Sequence, residues 1–132
     1  MTRTLAAALL LAGPAAAGDD PEHARCLERA MTSAAMAACG HARIKRLDAV
    51  LNERWSALQA ALSPEAWRAL RSEQRRWLTF LESACRFWSA SQFGSMHRSL
   101  AAPECRAGII EARIAQLEAI AAWLQEPPEQ PN

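Results

Sequence analysis

This 132-residue sequence contains four cysteines, Cys26, Cys39, Cys85 and Cys105. Cysteines at fixed spacings either bind a metal or form disulfides, but these spacings lack the Cys-x2-Cys pattern of structural zinc sites and the Cys-x-x-Cys-His motif of haem attachment. We therefore predict no metal and no cofactor. An even number of cysteines in an exported chain favours two disulfides. Of the three possible pairings we favour Cys26–Cys39 and Cys85–Cys105, because each joins neighbouring helical segments across one connection.

The other residues with chemical potential form no catalytic pattern. The histidines, His23, His41 and His97, have no partner at the spacing of a metal site or a catalytic triad. A Gly-x-Ser-x-Gly elbow and a glycine-rich phosphate loop are also missing from the sequence. We predict no catalytic residue and a protein that is not an enzyme, leaving as an alternative a site assembled only in three dimensions.

The N-terminus has the pattern of an export signal. Arg3 precedes an apolar run over residues 5–12, and the small residues 15–17 form an Ala-x-Ala cleavage site. The run is too short to span a bilayer as a stable helix. We predict a signal peptide over residues 1–17, a domain over 18–126, a flexible tail over 127–132, and a periplasmic or secreted mature protein. Its net charge near zero gives no electrostatic reason to bind nucleic acid or an anionic membrane.

The elements that must position these residues are helical. From Ser63 to Trp88 the large apolar residues recur at steps of three and four, and Ser63-Pro64 has the form of a helix start. A second periodic stretch follows Ser33, either starting after Gly40 or bending there, and a last helix opens at Pro103 after a polar loop over residues 95–102. We predict an all-α, disulfide-stapled bundle of one short and three long helices. Its core holds the five tryptophans, and ligand stacking by them is the alternative.

The helical part of the sequence contains several short motifs in a fixed order: Cys39, Asp48-x-x-Leu51-Asn52-x-x-Trp55, Glu73-Gln74-Arg75-Arg76-Trp77, Cys85, Gly94-Ser95, and Cys105 followed by Arg113 and Leu117. Together these motifs resemble the LprI-type lysozyme-inhibitor family of small exported bacterial proteins. One departure is Leu81, at a position where the family often has arginine. The matched polar residues are interpreted as scaffold, and we expect a buried polar network between helices formed by Asp48, Asn52, Gln74 and Arg113.

The resemblance implies a binding protein that blocks a lysozyme-like glycosidase of the cell envelope. Such an enzyme works through two carboxylates beside a sugar groove. The loop before Pro103 offers Ser95, His97 and Arg98 as a candidate partner-binding surface, and a strongly acidic surface patch would favour this function. The alternative is an envelope structural or interaction protein that holds another protein or a lipid in a groove between helices. An exposed aromatic stripe at Phe87, Trp88 and Phe93 would favour the alternative.

Overall fold

The computed structural model describes residues 20–127, which form four α-helices and one short 3-10 helix without any strand. The α-helices are α1 (Pro21–Arg29), α2 (Ser33–Ala61), α3 (Pro64–Ala84) and α4 (Ser95–Trp123), and the 3-10 helix Arg86–Ser89 lies between the last two. This confirms the predicted all-α fold of one short and three long helices. The predicted signal peptide and all but the first residue of the predicted tail lie outside the described residues, so these boundaries stay predictions.

Side-chain caps define where the first three helices begin. Asp20, Thr32 and Ser63 each accept a hydrogen bond from the backbone amide three residues ahead. Proline occupies the first turn of α1 and α3, where an amide donor has no partner within the helix. The predicted helix start at Ser63 is therefore confirmed. Because only Leu62 and Ser63 separate α2 from α3, the chain reverses there within a few residues.

The core lies mainly between α2 and α4. The buried core residues are Ile44, Leu51, Leu58, Leu81, Ala107, Ile110, Ile114 and Leu117, and of these only Leu81 comes from α3. Ion pairs join Arg43 to Glu104 and Arg54 to Glu118, so residue numbers increase in the same direction along α2 and α4. Helices α2 and α4 therefore run parallel, and α3 runs in the opposite direction along their flank.

A close helix contact explains the interior glycine of α2. The helix continues through Gly40, where the sequence suggested a start or a bend. A Cβ atom at Gly40 would stand 2.5 Å from Cβ of Pro103, well inside normal contact. Glycine in a helix interior costs about 1 kcal/mol relative to alanine. The absence of a side chain at Gly40 leaves room for α4 to approach the backbone of α2.

The start of α4 differs from the prediction. The segment predicted as a loop, residues 95–102, forms the first turns of α4, and Pro103 lies buried inside the helix instead of opening it. Proline is unfavourable inside a helix because it lacks the amide donor and crowds the preceding turn. Here Pro103 packs on Gly40, and the neighbouring Cys105 is bonded to Cys85. Tertiary contacts therefore outweigh the local preference.

The tryptophans do not fill the core as predicted. None is buried: Trp123 is 67% exposed, and the other four are half-buried at the edges of the helices. The indoles of Trp55 and Trp67 lie against each other with their ring centroids 4.6 Å apart, which joins α2 to α3 near the chain reversal. Helices α2 and α4 approach each other closely at Gly40 and Pro103, and the buried cluster is aliphatic, with Trp55 and Trp77 packed against its edge.

Two disulfides fasten the bundle. Cys26 bonds to Cys39 and Cys85 to Cys105, with Cα atoms 5.7 Å and 5.8 Å apart, which is the pairing favoured from the sequence. The first disulfide joins α1 to α2, and the second joins the end of α3 to α4. Loops of this size contribute roughly 2–4 kcal/mol each to stability. Within residues 20–127, no helix has the length and apolar character needed to cross a membrane.

Candidate protein interaction site

One end of the bundle carries the partner-binding residues suggested by the sequence. We call residues 86–98 the tip: it comprises the 3-10 helix, the connection that follows it and the first turn of α4. The Cys85–Cys105 disulfide closes its base. The tip is therefore a short segment with an irregular connection, tied to a regular helical scaffold, which is a common design for a binding surface.

Ser95, His97 and Arg98 all lie exposed on the tip, although in a helical turn and not in a loop. The guanidinium Nη1 of Arg98 donates to the backbone carbonyl of Phe93 at 3.3 Å. The imidazole ring of His97 lies 6.2 Å from the Phe93 ring, measured between centroids. The structure thus brings the three residues to one place, and Phe93 positions two of them.

An aromatic cluster forms the other part of the tip. The ring centroid of Phe87 lies 5.1 Å from those of Trp88 and Phe93, both in edge-on arrangements. Phe87 is 58% exposed, whereas Trp88 and Phe93 are half-buried. Aromatic side chains beside arginine are typical of the residues that dominate binding energy at protein interfaces.

A groove of about 530 Å³ runs from the tip between α2, α3 and α4. We call it the tip groove; its charged and titratable lining residues are His41, Glu82, Arg86, Arg98 and Arg106. Three guanidinium groups thus share the groove with one carboxylate. None of the ion pairs formed among residues 20–127 includes any of these groups. The arrangement can receive carboxylates from a partner.

The predicted polar network is only partly formed. Arg113 is buried, and its Nε donates to Gln74 at 2.8 Å, as the two predicted members should. Its other nitrogens bond both carboxylate oxygens of Glu73 and, at 3.1 Å, Gln116. Asp48 and Asn52 take no part; they line a groove beside Gln74. Glu73 was missed, although it directly precedes Gln74 in the matched motif and was the obvious charge partner for a buried arginine.

A second polar cluster, which the sequence did not reveal, binds α1 to the rest of the bundle. Arg43 is buried and donates to Glu104 at 2.6 Å and to Glu111 at 2.7 Å. His23, also buried, contacts Glu104 at 2.6 Å through Nε2. Arg46 donates to Asp20 at 2.7 Å. The partners are 26 to 81 residues apart in the chain, so no local spacing could have identified them.

Charge pairing in this second cluster shifts two pKa values. Burial alone would lower the pKa of Arg43, but the hydrogen bonds and charges of Glu111 and Glu104 outweigh it and raise the pKa. Burial alone would raise the pKa of Asp20, but the His23 amide and the guanidinium of Arg46 hold it below its ordinary value. Both groups are therefore charged at neutral pH, and the cluster acts as a structural clamp.

The described residues contain no group of three or more histidine, cysteine or acidic side chains placed to hold a metal. The comparisons with known proteins gave one family match: the model described as "Lysozyme inhibitor LprI" matches residues 25–117, more than half of the chain. Neither the curated proteins nor the solved structures yielded a match. The matched range includes all four cysteines and the whole tip.

Proposed function

The chain belongs to the LprI lysozyme inhibitor family, and from this premise we propose that it binds a lysozyme-like glycosidase of the cell envelope and blocks its active cleft. Membership of an inhibitor family is the observation that carries the proposal. The two disulfides and the family together indicate an extracytoplasmic protein. The predicted cleavage after Ala17 would place the mature protein in the same compartment as its target.

The contact surface in this proposal is the tip. A glycosidase of this kind holds two carboxyl groups beside a sugar groove. Arg98 and His97 are exposed donors in the tip, and Ser95 adds a hydroxyl. A guanidinium fits a carboxylate with two parallel hydrogen bonds, which gives orientation as well as attraction. We propose that Arg98 reaches the cleft carboxylates and that the Phe87 cluster packs against the cleft wall.

Electrostatics support a short-range contact rather than long-range attraction. The mature sequence is nearly neutral, so it gains little steering toward a basic lysozyme. The tip groove itself carries mainly guanidinium groups and one carboxylate. These groups complement an acidic cleft but not a basic outer surface. Affinity would therefore depend on the fit of the tip into the cleft.

A second candidate function is envelope interaction without inhibition. The exposed ring of Phe87 is the feature expected of such a protein. In addition, an apolar groove of about 350 Å³ lies between α3 and α4, where Leu62, Leu70 and Ile120 face each other. In this alternative the protein would hold a partner protein or a lipid chain, and glycosidase activity would be unaffected.

The test is lysis of cell walls by lysozymes of several types in the presence of the mature, oxidised protein. We expect dose-dependent inhibition of at least one lysozyme and an inhibition constant about tenfold or more weaker for the double variant His97→Ala, Arg98→Ala, because charge-assisted hydrogen bonds are lost. Arg76→Ala is the control, since Arg76 is exposed on α3 away from the tip. Absence of inhibition by the folded protein across all types would favour the envelope-interaction function.

A further inference from the structure

A second groove, separate from the tip, lies between α2 and α3 beside α4. It has a volume of about 510 Å³, within the range of small-ligand sites. We call it the indole groove, after Trp55 and Trp77 in its walls. Its polar lining residues are Asp48, Asn52, Arg71, Gln74, Arg75 and Arg106. Leu81 and Arg106 are the residues that it shares with the tip groove.

Both indoles of this groove also pack against a side chain that lies outside the groove lining. Trp55 lies against Trp67, which is outside the groove lining. Trp77 lies under the guanidinium of Arg113, 5.7 Å from the ring centroid, and Arg113 is itself fixed by Glu73 and Gln74. The two flat surfaces are therefore positioned before any ligand arrives, which lowers the entropy cost of binding.

The charged lining of the indole groove is mainly positive. The lining contains one carboxylate, that of Asp48, and three guanidinium groups, those of Arg71, Arg75 and Arg106. None of these four groups belongs to an ion pair formed among residues 20–127. Arg68 and Arg76, the other arginines of α3, also belong to no such ion pair, whereas Arg43, Arg54 and Arg113 of α2 and α4 do. The guanidinium groups of this groove are thus available to an anion.

Amide side chains complete the lining. Asn52 is exposed at the rim and, within the described part of the chain, is engaged in no hydrogen bond to another side chain. Gln74 accepts from Arg113 through Oε1, so its amide nitrogen retains two donors. Amides bond hydroxyl groups in both directions, as donor and as acceptor. The lining therefore alternates indole faces, amides and guanidinium groups.

This combination points to a sugar ligand. We infer that the indole groove binds a short oligosaccharide that bears carboxylate groups. The apolar face of a sugar ring packs on an indole, its hydroxyls bond Asn52, Gln74 and Asp48, and its carboxylates pair with Arg71 and Arg75. An acidic peptide helix fits less well, because it needs a continuous apolar trough for its anchors, and polar side chains interrupt the trough here.

The test is isothermal titration calorimetry of the mature, oxidised protein with trigalacturonate, which is anionic, and with chitotriose, which is neutral. Trigalacturonate should bind, and at least tenfold more tightly than chitotriose. Arg75→Gln should weaken its binding about tenfold, because one charge-assisted contact is lost. The matched control is Arg76→Gln. Arg76 is the next residue along α3 and is also exposed, but it lies outside the groove lining.

Three results would overturn the inference. Trigalacturonate could fail to bind the folded protein, the two arginine variants could weaken binding equally, or hexaglutamate could bind more tightly than trigalacturonate and thereby identify an acidic peptide site. Circular dichroism of each variant verifies the fold. No lysozyme is present in this experiment, so its outcome is independent of the proposed inhibition.

Discussion

At the scale of single residues, two buried arginines are each paired with carboxylates that are far away in sequence. Arg113 is bonded to Glu73 and Gln74 of α3, and Arg43 to Glu104 and Glu111 of α4. Because a buried charge without a partner is costly, each pair fixes how two helices meet. The sequence allowed a polar role to be predicted for Arg113 through its matched motif. It gave no such indication for Arg43.

The contribution of Arg113 can be measured by its removal. Arg113→Ala should lower the free energy of unfolding by about 3 kcal/mol, because the variant loses several hydrogen bonds and leaves a gap beside Trp77. Urea unfolding at neutral pH measures the change. Arg76→Ala, an equal truncation at an exposed site, should change stability by less than about 0.5 kcal/mol. A similar loss in both variants would show that the buried network does not stabilise the fold.

At the scale of elements, local capping rules account for the starts of α2 and α3 but not for the start of α4. Thr32 and Ser63 cap their helices as the local rules for hydroxyl side chains predict. The start of α4 was misplaced at Pro103 because local rules treat proline as a helix opener. The contact with Gly40 and the nearby disulfide, both long-range, keep Pro103 inside the helix. Contacts of this kind cannot be derived from local preference.

The Gly40–Pro103 contact predicts that alanine at position 40 lowers stability, although alanine has the higher helix propensity. Gly40→Ala should destabilise the protein by about 1–3 kcal/mol, because the added methyl group overlaps the rigid proline ring. Gly108→Ala is the matched control: it is also in a helix, but nothing lies within 4 Å of its added Cβ. The control should stabilise the protein by about 0.5–1 kcal/mol. Thermal unfolding of both variants tests this, and stabilisation by Gly40→Ala would contradict the described packing.

At the scale of the whole molecule, the order of the helices was predictable, but the degree to which the tryptophans are buried was not. The periodic faces and the short Leu62–Ser63 connection were sufficient to predict a helical bundle. They also suggested tryptophans in the core, whereas the buried cluster contains only aliphatic side chains and the indoles of Trp55 and Trp77 pack against its edge. Of the four half-buried indoles, Trp55 and Trp77 line the indole groove and Trp88 lies in the tip. These surfaces, and not the core, carry both functional proposals.

The central claim is that the tip occupies the active cleft of a lysozyme-like glycosidase. The most direct measurement is the affinity of the mature, oxidised protein for an inhibited lysozyme, with and without saturating chitotriose in the enzyme cleft. We expect chitotriose to weaken the apparent affinity in proportion to its occupancy of the cleft, because both ligands need the same space. Unchanged affinity in the presence of chitotriose would contradict the claim and place the contact outside the cleft.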